Sequence, residues 1–176
     1  MVYLNFSIVS LVVFGSMLME ASRSARNEHS QRLRGGVEPA GDVYRIMRIA
    51  YPGAFVAMIG EGWLRGVSWP ATVVAGALVF ALAKLLKWWA IVSLGSRWTF
   101  RVIVVPGDTR VVSGPYRCLR HPNYVGVIGE LVGVAAMTGA TLAGVLAVLV
   151  CGALLVRRIA VEERALQTMA AGTAPD

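Results

Sequence analysis

The sequence predicts an all-α integral membrane bundle of about five transmembrane helices with a pocket on the cytosolic side. Three observations predict it. The 176-residue chain is 56% apolar and only 15% charged, whereas soluble domains sit nearer 45–50% and about 25%. Its mean hydropathy is +0.63. Its basic residues flank apolar stretches rather than forming a separate basic domain, which excludes nucleic acid as a partner despite a net charge of +7. The length gives room for one domain, residues 1–176.

Val2 to Met19 is apolar, with no charge until Glu20. Ala21 to Ala25 offers small residues that resemble a cleavage site, but no basic residue precedes the stretch as a signal peptide requires. It therefore reads as a first membrane helix. Glu20 to Arg48 is polar, carries six arginines and is broken by Gly35-Gly36, which reads as a loop. Ile49 to Leu64 is a second span, interrupted by Pro52 and Glu61. Arg65 to Ser68 reads as a tight connection. Trp69 to Leu94 is a third span, with Lys84 and Lys87 placed to snorkel towards the interface. Gly95 to Asn123 is a long polar loop. Within it Val102–Val105 and Arg110–Val112 flank Pro106-Gly107-Asp108, the pattern of a small hairpin. Tyr124–Met137 and Leu142–Val156 form a helical hairpin. Arg157–Met169 is amphipathic, and a frayed tail follows.

Loop charge fixes the expected orientation. Glu20–Arg48, Gly95–Asn123 and the C-terminal segment hold 14 of the 17 basic residues. Placing them in the cytosol puts the N-terminus outside and the C-terminus inside an inner membrane. Cys118 and Cys151 make no disulfide framework, and with only two histidines no metal site is expected.

Common catalytic signatures are absent: no G-x-G-x-x-G follows a strand, and there is no phosphate-binding lysine loop or nucleophile elbow. Gly126-x-x-Gly129-x-x-x-Gly133 fits close helix packing through small residues. The densest chemistry lies from Gly114 to Gly126, the expected active site. It combines Tyr116, Arg117, Arg120, His121, Pro122 and Tyr124 immediately before and within a helix start. Proline suits a first helical turn, whose N–H is unbonded anyway. His121 can donate, accept or take a proton near neutral pH. A membrane-surface loop, with arginines on lipid phosphates and tyrosines in the aromatic belt, would show the same composition. Arg157-Arg158 followed by Glu162-Glu163 places two carboxylates beside the membrane, where i,i+4 pairing is one explanation. Glu130 and Glu61 lie in otherwise apolar helices and are functional candidates for that reason.

Gly114-Pro115-Tyr116-Arg117-x-x-Arg120-His121-Pro122-x-Tyr124-x-Gly126 with Glu162-Glu163-x-x-Leu166 resembles the isoprenylcysteine carboxyl methyltransferase family over residues 94–166. That family comprises multi-span membrane enzymes using S-adenosyl-L-methionine without a Rossmann domain. Arg26-Asn27-Glu28, Gly35-Gly36-Val37-Glu38, Leu94 to Thr99 and Glu130 to Gly133 are similar to a short bacterial branch. That branch includes alkylpyrone and alkylresorcinol O-methyltransferases that work with type III polyketide synthases. The resemblance implies a cofactor pocket of Tyr116, Arg120, His121, Pro122, Tyr124, Gly126, Glu162 and Glu163. Arg120 and Arg117 would face the cofactor carboxylate. His121, Arg158 and Glu130 would be catalytic or on the acceptor side. The implied acceptor is a lipophilic molecule drawn from the bilayer. The chain departs from prenylcysteine enzymes after Leu166, since Gln167 to Asp176 holds no aromatic residue. The implied acceptor is therefore a polyketide-lipid hydroxyl, with a prenylcysteine carboxylate as the alternative. Sterol reductases, which use NADPH, end in a similar Arg-His-Pro-x-Tyr stretch but are far longer and carry Arg-Asp where this chain has Glu162-Glu163.

Overall fold

Five helices carry the fold in the computed structural model, which describes residues 2–66 and 70–170. They are α1 (Val2–Leu33), α2 (Tyr44–Arg65), α3 (Pro70–Leu94), α4 (Pro122–Thr138) and α5 (Thr141–Ala170). Short 3-10 turns at Gly95–Arg97 and Gly114–Arg117 punctuate the long loop between α3 and α4. The chain is a helical membrane bundle. Large apolar side chains such as Leu11, Leu78, Leu82, Leu142 and Leu149 point outward. An outer surface this apolar is costly in water and matches lipid. The interior core draws on all five helices, through Val13, Phe55, Met58, Phe80, Leu131, Val134 and Cys151.

Three helices are long and apolar enough to cross a membrane: Phe6–Leu33, Pro70–Arg97 and Thr141–Thr168. Helix α4 has 17 residues, about 25 Å at 1.5 Å per residue, shorter than a hydrocarbon core of about 30 Å. Helix α2 carries Arg45, Arg48, Glu61 and Arg65.

The first correction concerns α1. It does not end at Met19 but continues through Leu33, so half of the expected polar loop is helix. Residues 20–33 contain no glycine or proline, and alanine, glutamate, arginine and leucine favour helix. Polarity there marks a helix leaving lipid, not a break in the backbone. The helix stops at Gly35, whose φ of 80° suits glycine. Gly36 N–H then bonds back to Gln31 O at 2.9 Å. A Cβ on Gly36 would lie 2.6 Å from Ile103, so the loop after α3 rides directly on this turn.

The expected hairpin does not form either. The turn at Pro106-Gly107 exists, with Asp108 N–H on Val105 O at 3.1 Å. Yet Val104 pairs with Val37 in an isolated antiparallel bridge rather than with Arg110–Val112. The turn after α1 thus provides the bridge partner. The last two expected elements merge: Leu142–Val156 and Arg157–Met169 are one helix, α5, because no helix breaker separates them. Part of the connection at Arg65–Ser68 and all of the tail beyond residue 170 lie outside the described residues.

Small residues bring α3 and α4 together. A Cβ on Gly126 would approach Lys87 Cβ at 2.8 Å, and one on Gly129 would approach Ala83 Cβ at 2.7 Å. On Gly133 it would meet the Phe80 backbone nitrogen at 2.7 Å. This glycine row is the packing seam its spacing predicts. At the other end of the bundle Glu61 caps α5: its carboxylate accepts from Ala143 N–H at 2.6 Å and Leu142 N–H at 3.1 Å. It also pairs with Arg65 at 2.8 Å. Glu61, expected as a functional candidate, is therefore occupied with the unbonded N–H groups of a helix start.

Candidate active site

The polar end of the bundle is assembled around the loop between α3 and α4, and α1 holds that loop in place. Asn27 donates to Gly95 O at 3.0 Å and Trp98 O at 2.6 Å. Gln31 donates to Ser96 O at 2.9 Å. Ser24 accepts from Phe100 N–H at 2.7 Å, and Asp42 accepts from Val102 N–H at 2.9 Å. Nearer the surface Asp108 bridges Arg34 at 2.7 Å and Arg97 at 3.2 Å. Burial opposes ionisation of Asp108, but the two guanidiniums outweigh it and hold its carboxyl below the usual range. Val102 and Val104 then pack on Ala165 and Leu166 of α5, which closes the loop against the helix bearing the twin glutamates.

Against this frame, the start of α4 meets the end of α5. His121 precedes α4, and Pro122 takes its first turn. The His121 ring stacks on Tyr124 with centroids 5.5 Å apart. Its Nε2 lies 3.4 Å from Glu163 Oε1 and its Nδ1 lies 3.9 Å from Glu162 Oε2. Tyr124 donates its hydroxyl to Glu162 at 2.7 Å. The same hydroxyl oxygen accepts from Arg158 Nε at 3.0 Å. Arg158, only 5% exposed, also donates to the Phe100 carbonyl and pairs with Asp42 at 3.5 Å. Glu162 thus takes Tyr124 as its partner, not the arginine one turn earlier. The Tyr116 hydroxyl stays protonated at neutral pH, because burial and then the Glu162 charge push its pKa above the ordinary phenol range.

A cavity of about 550 Å³ runs inward from this cluster, within the size range of small-molecule sites. Tyr116, Arg120, His121, Tyr124, Arg158 and Glu162 line its polar end, joined by Trp98 and Asn123. The latter two are hydrogen-bonded at 3.2 Å. Phe14, Met17, Leu18, Met47 and Pro52 give it apolar walls, among which Glu20, Tyr51 and Lys87 also line it. Leu18, one of these lining residues, is also 69% exposed.

The remaining expected residues fall outside this wall. Glu163 stands at the rim, pairing with His121 and, at 3.6 Å, with the exposed Arg120. Arg117 is exposed and does not line the cavity. Pro122 is buried at the helix start, and Gly126 faces α3 instead of the cavity. Glu130 sits deeper, in a buried cluster with Lys84, Lys87, Glu20 and Tyr51. The two lysines do not snorkel: they turn inward because two buried carboxylates await them. That cluster went unrecognised in the sequence, although two acidic and two basic residues in apolar spans are themselves a signal of pairing. Asp42, the buried partner of Arg158, carried no such signal.

Fold and site together define a membrane-embedded helical protein whose interior cavity is lined by both charged and apolar side chains. The chain belongs to the isoprenylcysteine carboxyl methyltransferase (ICMT) family, whose model matches residues 74–168. The matched segment contains most of α3, the loop, α4 and most of α5, and with them both halves of the site. The family supports a membrane methyltransferase. The chain is similar to the uncharacterized protein YpbQ of Bacillus subtilis (strain 168), 27% identical over 162 residues, covering 92% of this chain and 96% of that protein. It is also similar to an uncharacterized protein of Haemophilus influenzae (strain Rd), 24% identical over 169 residues, covering 94% and 96%. No solved structure matches the chain.

Proposed function

We propose that this protein is an S-adenosyl-L-methionine-dependent O-methyltransferase acting on a lipophilic acceptor. The favoured acceptor is a hydroxyl of an alkylpyrone- or alkylresorcinol-type polyketide lipid, the product class of a type III polyketide synthase. The observation that carries this reading is the single cavity joining the His121–Glu162 cluster to apolar walls. A charged, water-soluble donor and a greasy acceptor need those two ends.

The side chains present fit such a donor. Arg120 is exposed at the polar end, suited to a carboxylate. Glu162 and Glu163 offer negative charge to an amino group and a sulfonium. Trp98, Tyr116 and Tyr124 offer aromatic surface to an adenine. Bound there, S-adenosyl-L-methionine supplies a methyl group already activated by its sulfonium. The protein's work is to align an oxygen with that methyl and exclude water. Arg158 fixes the Tyr124 hydroxyl, which fixes Glu162, so the wall facing the donor is set before it arrives. His121, beside Glu163, is placed to exchange protons with solvent at the rim. The family match over residues 74–168 supports the reaction class. The lack of aromatic residues after Leu166 favours the polyketide hydroxyl over a prenylcysteine carboxylate.

The same reading places the protein in the inner membrane with its C-terminus in the cytosol, where the donor is dissolved. Purified protein in lipid nanodiscs, given methyl-labelled S-adenosyl-L-methionine and an alkylresorcinol, is expected to transfer label to the lipid. Absence of donor binding, or labelling of no lipid acceptor, overturns the proposal.

A further inference from the structure

Four charges and a phenol meet in the interior, away from the His121–Glu162 cluster. Glu20 pairs with Lys84 and Lys87, each at 2.7 Å. Glu130 pairs with Lys84 at 3.0 Å and Lys87 at 3.3 Å, and accepts the Tyr51 hydroxyl at 2.5 Å. Glu20, Glu130 and Lys87 are each no more than 2% exposed. The charges balance, as charges in a low-dielectric interior must. Helix packing does not require them, since apolar side chains of similar volume stabilise such a seam as well or better. What distinguishes this cluster is where it faces. Glu20, Tyr51 and Lys87 all line the cavity, set among Phe14, Met17 and Pro52. Lys87 also packs beside Gly126, two residues along α4 from Tyr124, about 3 Å along the helix axis. The cluster therefore opens on the chamber whose other end holds Tyr124 and Glu162.

We infer that this cluster is the acceptor subsite, and that it selects a neutral hydroxyl over an ionised carboxylate by charge count. The inference rests on the methyltransferase reading above. A phenol or enol enters without adding charge to a balanced site. A carboxylate brings a third negative charge beside Glu20 and Glu130, which the low dielectric makes costly. In the transfer the acceptor's O–C bond forms as the donor's C–S bond breaks. The hydroxyl proton passes to the Glu20 carboxylate, Lys87 donates to the acceptor oxygen, and the sulfonium leaves as a neutral thioether. One positive and one negative charge disappear together, so the transfer leaves the net charge of the chamber unchanged.

The test uses the full chain in nanodiscs with labelled S-adenosyl-L-methionine and two acceptors bearing the same alkyl chain, an alkylresorcinol and an alkylbenzoate. Like-charge juxtaposition costs several kcal/mol, so the wild type is expected to favour the resorcinol about 100-fold in kcat/KM. Glu20→Gln and Glu130→Gln each leave one unbalanced cation, and either shifts that ratio towards the benzoate by about tenfold or more. Having both variants covers the failure of one to fold. Glu130→Gln with Lys84→Met restores balance while keeping Glu20 and Lys87, and with them the wild-type order of preference. A ratio unmoved in the single variants while both activities fall together overturns the inference and leaves a structural cluster. A wild type that binds the donor yet methylates both acceptors equally overturns it as well, with the methyltransferase reading intact. A chain that binds no donor removes both.

Discussion

The cluster at the polar end of the bundle and the cluster in its middle use similar side chains in opposite ways. At the end, His121, Tyr124, Arg158, Glu162 and Glu163 come from α4, α5 and the turn between them and the loop. Their partners include the Phe100 carbonyl and Asp42, and several groups stay partly exposed. In the middle, Glu20, Lys84, Lys87 and Glu130 partner mainly one another, are almost fully shielded, and are balanced two against two. A soluble charged ligand suits the first setting, where its charge meets groups that water still reaches. A neutral polar head on an apolar tail suits the second. The lesson is that a shared cavity need not have one electrostatic character: exposure and charge balance set each end separately.

The sharpest way to break this comparison is at Arg158. Replacing it with Met leaves Asp42 buried beside an apolar side chain and frees Tyr124, at a cost of about 3–5 kcal/mol. Thermal unfolding in detergent is expected to show that loss, together with loss of methyl transfer. An unchanged midpoint would mean that Arg158 does not hold the end cluster together. Next comes the seam that keeps the two clusters in register. Gly133→Ala places a Cβ 2.7 Å from the Phe80 backbone nitrogen, and overpacking of this kind costs about 1–3 kcal/mol. Because α3 carries Lys84 and Lys87 while α4 carries Glu130, the unfolding midpoint and acceptor turnover should fall together.

Smaller effects are expected at the surface. Glu163→Gln loses only partly exposed contacts, and its stability is expected to change by less than about 1 kcal/mol, while donor affinity drops. Asp108→Asn is smaller still. Its carboxyl is held below the usual range, so the stability it adds is present at neutral pH. That contribution is lost only as pH falls below the ordinary aspartate value of about 3.9. The midpoint difference from wild type should vanish in acid and shrink in high salt.

Much of this was written in the sequence. Apolar runs located the five helices, and the glycine spacing in α4 located the α3–α4 seam. The motif pair brought His121 and Glu162–Glu163 forward as one site before any distance was known. What sequence reasoning missed has two causes. Residues 20–33 look like a loop by their polarity, yet helix propensity continues α1 to Leu33. Val102–Val105 look ready to pair with the next apolar triplet, yet Val104 pairs with Val37, 67 positions away in the chain. Lys84 and Lys87 look ready to snorkel because their partners, Glu20 and Glu130, lie on two other helices. The last two misses are long-range partners that no local window contains.

The central claim is that the His-Pro turn and the twin glutamates enclose the methyl donor while the buried ionic cluster serves the acceptor. Equilibrium binding of S-adenosyl-L-methionine to Glu162→Gln and Glu20→Gln, beside the wild type, tests it most directly. Loss of a charged partner costs about 1.5–3 kcal/mol, so Glu162→Gln is expected to weaken the donor about tenfold or more. Glu20→Gln is expected to leave its affinity close to wild type. Donor binding that ignores Glu162 and depends on Glu20 would contradict the account.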